Sequence, residues 1–248
     1  MNDTSRSFPE NLARMHEHEE RVRFASIEKI LSKGDFCDHV DAIHDSLDHL
    51  FLLLQEDFPA GSEQHTLQLL AIRVFNSGAS SLKLGLSGYF QAGFQLIRDM
   101  LEIVNLLDYF SLFPDKIVHW RSADATVIKN EYAPVVIRRA LEQNQRFSNQ
   151  RRDKPYRLLS EYANHPTYKG FLLVSPNNSP RLGPIEDEGL LNAFLEELAM
   201  HLVHCTLAAS GMIECHDIDR LKAGLIYVDR LRAYYEKHIR GPSGARTS

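Results

Sequence analysis

The chain has 248 residues, 44% of them hydrophobic and 25% charged, which suits one well-buried core and excludes a largely disordered or collagen-like polymer. A formal net charge of −5 leaves no overall basic field to gather nucleic acid, so any such contact would need a local patch. The three cysteines, Cys37, Cys205 and Cys215, are widely separated and odd in number, which excludes a disulfide framework and suits a cytoplasmic protein.

The start, Met1 to Pro9, lacks an apolar run behind a basic head and is expected to be a loose tail rather than a secretory signal. From Glu10 to Leu31, charges are mixed with Leu12, Val22, Phe24, Ile27 and Ile30, the pattern of a helix whose early half is wet. After Gly34-Asp35, helical spacing resumes from Asp38 to Glu56 through Val40, Ile43, Leu47, Leu50 and Leu54. The most apolar stretch there, Leu47 to Leu54, is far shorter than the roughly 20 residues of a membrane span, so no transmembrane segment is expected.

Ser62 signals the start of a helix running to about Leu84. Ala71, Gly78 and Gly85 are spaced seven apart, a small-residue stripe that lets another helix come close. Gly85 to Gly88 reads as a turn, and Tyr89 to Phe113, the most apolar helical run, is expected at the centre until Pro114 stops it. Lys116 to Asn130 and Pro134 to Asn149 read as further helices, with Pro134 suited to a first turn.

Lys154 to Asn164 reads as a short helix, with Pro166 biasing His165 toward extended backbone. Two apolar pieces, Phe171-Leu-Leu-Val and Arg181-Leu-Gly-Pro-Ile, flank a turn cluster and predict a small β-hairpin or extended insertion near 168–185. Asp187 to Ser210 and Asp217 to Ile239 complete the helices, and residues 241–248 are expected to be a polar tail. The expected fold is all-α, a mostly antiparallel helical bundle in a single domain over 1–248, with the Leu67 to Phe113 hairpin at its centre. The weakest point for a boundary is Asn149 to Lys154.

Four groups of residues could carry chemistry. Arg98 and Glu102 lie four apart on the most apolar helix, either a structural bridge between helices or one wall of a polar pocket. Arg157, Glu161 and His165 fall four apart on the short helix, with Ser160 and Tyr162 beside them. An imidazole and a guanidinium there could serve phosphodiester cleavage, or simply form a capped helix end. A metal reading draws on Asp41 and His44 of one helix and His201 and Cys205 of another, against the alternative of ordinary core and surface positions. The basic stretch Arg138 to Arg157, with Tyr132, Phe147 and Tyr156, could hold RNA phosphate and stack bases, or be a solvated helix face. No phosphate loop, nucleophile elbow or cofactor-binding pattern is present in the sequence, and no cofactor is expected.

The segments Leu96-Ile-Arg98-Asp-Met-Leu-Glu102 and Leu159-Ser160-Glu-Tyr162-Ala-Asn-His165-Pro166 resemble an uncharacterised bacterial helical-bundle family distantly similar to HEPN domains. The resemblance spans about Leu67 to Ser210. It implies a helical fold, often dimeric, in a family with many RNA-cleaving toxins and defence proteins. The Arg-to-His spacing departs from that family's catalytic pattern, because seven residues separate Arg157 from His165. The leading expectation is therefore a HEPN-like protein-interaction module, with a protein partner or a second copy of itself. The alternatives are a metal-independent ribonuclease using Arg157 and His165, and a metal-binding bundle.

Overall fold

A computed structural model describes residues 8–144 and 153–240. The expected tails at 1–9 and 241–248 lie almost wholly outside these residues, as does most of the boundary at 149–154. Ten α-helices are described: α1 (Glu10–Ser32), α2 (Cys37–Leu53), α3 (Glu63–Leu86), α4 (Phe90–Leu112), α5 (Lys116–Ser122), α6 (Ala125–Glu131), α7 (Pro134–Glu142), α8 (Asp153–Leu159), α9 (Glu188–Ser210) and α10 (Ile218–Tyr234). No helix among the described residues is long and apolar enough to cross a membrane.

Several helix ends follow from single residues. Ser62 Oγ accepts the His65 amide at 3.0 Å to start α3, and Asp187 and Asp217 cap α9 and α10 in the same way. Asp124 Oδ1 accepts the amides of Thr126 and Val127, so the helix expected over 116–130 is instead divided into α5 and α6. Pro134 occupies the first turn of α7, where its missing N–H costs nothing.

The bundle is built around α4 and α9. Ile97, Met100, Val104, Leu107 and Phe110 of α4 and Phe194, Leu195, Leu198, Leu202 and Val203 of α9 are completely buried. The α3–α4 pair is antiparallel, since Ser77 meets Asp99 and Ser81 Oγ donates to the Gly93 carbonyl further up. The close approach expected along the small-residue stripe of α3 is made by α9: a Cβ at Gly78 would stand 2.9 Å from Leu202, and one at Gly85 would stand 2.0 Å from the Phe194 ring. On the other flank α2 and α10 are antiparallel, with His39 bonded to Tyr234 and Asp48 to Tyr227. Only Val22, Ser26 and Ile30 of α1 are buried, so its early half is wet as its charge pattern requires.

The expected β-hairpin is not formed, and no strand occurs among the described residues. Residues Lys169–Leu173 and Pro176–Asn178 wind into 3-10 turns, and a single cross-link, the Arg181 amide to the Val174 carbonyl at 3.0 Å, joins the two arms. Pro176, Pro180 and Pro184 have no N–H to give a ladder, which explains the outcome. The segment ends on a firm anchor, where the Ile185 amide donates to the Gly88 carbonyl at 3.0 Å. Gly88 has φ +80°, and a Cβ there would sit 2.5 Å from the Ile185 nitrogen, so both the left-handed turn and the close approach require glycine.

Candidate functional site

The polar face of α4 supplies the site. Arg98 and Glu102 lie on successive turns, and the guanidinium Nη2 stands 2.9 Å from Glu102 Oε1. Such a pair, with the Arg98 side chain only 15% exposed, needs further partners to offset its desolvation. They come from a distant part of the chain. α8 and the π turn that follows it at Ser160–Asn164 lie across α4, held partly by the Gln95 side-chain amide donating to the Ala163 carbonyl at 2.9 Å.

Arg98 Nε then donates to Ser160 Oγ at 2.9 Å, and Nη2 donates to the Tyr156 hydroxyl at 2.7 Å. The same hydroxyl lies 3.4 Å from Glu102 Oε1. From α7, the Arg138 guanidinium stacks on the Tyr156 ring, 3.7 Å from its centroid, and is itself buried. Tyr156 thus receives one arginine on its hydroxyl and another on its ring, and ties α4, α7 and α8 together. Chemically the cluster is a polar knot: Ser160 Oγ accepts from a guanidinium, and among the described residues no imidazole or carboxylate is bonded to it to act as a base.

The trio expected on one face of the short helix does not hold as an α-helical stripe. The α-helix ends at Leu159, the chain continues as a π turn, and His165 closes it with φ −97° and ψ 144°, the extended backbone that Pro166 favours. Arg157 and His165 are exposed, and Glu161 pairs with Lys169 at 2.8 Å. No hydrogen bond or ion pair links His165 to Arg98 or Glu102 among the described residues. Sequence reasoning singled out Arg98 and Glu102 but gave Tyr156 only a base-stacking role and Ser160 none. Pairing across more than fifty residues leaves no trace in local spacing.

The basic stretch changes character. Arg138 is buried against Tyr156 and so unavailable to RNA, Arg139 is exposed, and Arg146, Phe147, Arg151 and Arg152 lie outside the described residues.

The metal candidates are not assembled: among the described residues no group of three or more His, Cys, Asp or Glu side chains is placed to hold an ion. Asp41 is exposed, and His44, also exposed, faces Asp48 on its own helix at 3.4 Å. His201 is buried and donates from Nδ1 to the Glu197 carbonyl at 2.9 Å, and burial pulls its pKa down to about 4. The Cys205 thiol donates to the Met100 carbonyl at 3.3 Å, and burial pushes its pKa far up, opposite to what a thiolate ligand needs. The neighbouring His204 turns instead to Asp108, at 3.2 Å. Comparison with protein-family models, curated proteins and solved structures finds no match to this chain.

Proposed function

We propose that this chain is a HEPN-like helical-bundle module that works by contacting another protein, first of all a second copy of itself, in a bacterial defence setting that rests on the family resemblance. The observation that carries the reading is the segment from α8 to the start of α9. Leu158, Tyr168, Phe171, Leu172 and Leu182 are all exposed there, Tyr168 at 89% and Leu182 at 100%, and the Tyr168 and Phe171 rings touch edge to face at 6.3 Å. Large apolar and aromatic side chains concentrated on one connection are typical of a surface that is covered in a complex. The polar cluster beneath serves this role as a support, since Arg98 and Tyr156 hold the root of the segment on α4.

Sedimentation velocity over a range of protein concentrations tests the reading, using the wild type and a Tyr168→Ser, Phe171→Ser, Leu182→Ser variant. A dimer that the variant abolishes supports it. A wild-type monomer throughout removes the second copy as partner.

Cleavage of RNA without metal is the second reading, favoured by the exposure of Arg157 and His165 at the same helix end. It requires chelator-treated protein to cut single-stranded or transfer RNA and His165→Ala to lose that activity. The commitment of Arg98 to Tyr156, Ser160 and Glu102 weighs against its sharing in phosphate binding.

A further inference from the structure

On the flank where α2, the end of α9 and α10 meet, the packing leaves a cavity of about 280 Å³. Leu52, Leu53, Leu207, Ile213, Leu225 and Val228 supply its apolar wall. An apolar cavity of about 150 Å³ is enough to take up benzene, so this one has room for a body nearly twice as large.

Its polar lining is mostly occupied. The Ser210 hydroxyl donates to the Thr206 carbonyl at 2.7 Å, so His49 Nε2, 2.6 Å away, carries the proton and donates to Ser210 Oγ. His49 Nδ1 is buried beside Gly224. Arg220 is held by Glu56 at 3.2 Å and Asp217 at 3.6 Å. Arg232 differs: it lines the cavity, is exposed, and has no carboxylate partner among the described residues, while no Asp or Glu lines the cavity at all. An exposed guanidinium with no carboxylate partner among the described residues, lining an apolar cavity that no Asp or Glu lines, is complementary to one kind of small molecule.

We propose that this cavity binds a small amphiphilic carboxylate, its apolar body among Leu53, Leu207 and Val228 and its carboxylate on the Arg232 guanidinium. Nothing in this site involves Arg98, Tyr156 or the exposed side chains of the 158–182 segment, so it stands apart from the protein-contact reading.

Isothermal titration of the full chain with octanoate and with 1-octanol tests it. The expected result is saturable one-to-one binding of octanoate in preference to octanol. Arg232→Gln should weaken octanoate by about fivefold or more, the loss of one charge-assisted contact, and leave octanol unchanged. Filling the chamber with Val228→Phe, or with Leu225→Trp at its edge should Val228→Phe not fold, should abolish both. Absence of saturable octanoate binding, equal affinity for octanol, or an Arg232→Gln protein that binds octanoate as tightly as the wild type would each overturn the proposal.

Discussion

The Phe194 ring stands where a side chain on Gly85 would have to be, its Cε1 only 2.0 Å from where that Cβ would lie, and the far edge of the same ring would stand 2.6 Å from a Cβ on Gly93. A fully buried aromatic from α9 is thus wedged between one glycine of α3 and one of α4. Gly85→Ala should destabilise the protein by about 3 kcal/mol, the upper end of overpacking costs, because a rigid ring surrounded on both sides cannot turn away. Urea denaturation measures it. The double change Gly85→Ala, Phe194→Leu should recover part of that loss, and a Gly85→Ala protein of wild-type stability would refute the wedge.

Tyr156 carries two separable contributions. Tyr156→Phe removes the bonds to Arg98 and Glu102 but keeps the ring under Arg138, and should cost about 1–2 kcal/mol. Tyr156→Ala also strips the ring from the buried Arg138 guanidinium and should cost about 3 kcal/mol or more. Equal losses in the two variants would mean that the stacking adds nothing.

Acid stability should report His201. Its folded pKa is held at about 4 by burial, against an ordinary 6.5, so the unfolded chain takes up a proton that the folded one refuses. Stability should therefore fall as the pH drops from 6.5 toward about 4, and level off below, by an amount on the order of 3 kcal/mol from this residue. His39 and His49, both pushed down chiefly by burial, add slope in the same direction. Denaturant midpoints measured across that range check this, and His201→Gln should flatten the curve.

Thiol labelling should follow exposure. Cys37 is exposed, Cys215 is half-buried with its thiol pushed up by burial and by Glu56, and Cys205 is fully buried. Under native conditions Cys37 should react first and Cys205 only on unfolding. Rapid modification of all three would be incompatible with the packing of α9 on α4.

Helical spacing made most of the bundle legible, because burial repeats along each helix. The run Tyr89 to Phe113 announced the central helix, Ser62 and Pro134 announced two starts, and the stripe Ala71, Gly78, Gly85 announced a close neighbour without saying which. Asp124 caps α6 and splits the 116–130 run, although the helical spacing continues through it. Phe171-Leu-Leu-Val has the composition of a strand, while the three prolines that deny it a ladder stand in the turn, at 176 and 180, and in the opposite arm, at 184. Arg98 and Glu102 stood out as charges on an apolar helix. Their partners Tyr156 and Ser160, and the Arg138 stacked on Tyr156, come from segments whose own patterns describe only their immediate surroundings.

The clasp between Ile185 and Gly88 fixes the far end of the 165–187 connection to the α3–α4 turn, while Gln95 and Arg98 fix its near end to α4. The chain between those points is a handle riveted at both ends to the same rigid body. Its length then bears only weakly on the stability of the rest, since doubling a closed loop costs only about 0.6 kcal/mol. Extra residues spliced in at 181–183 should leave the bundle folded while displacing Leu182 and the Arg181–Val174 link, which separates the surface of this segment from the stability of the fold.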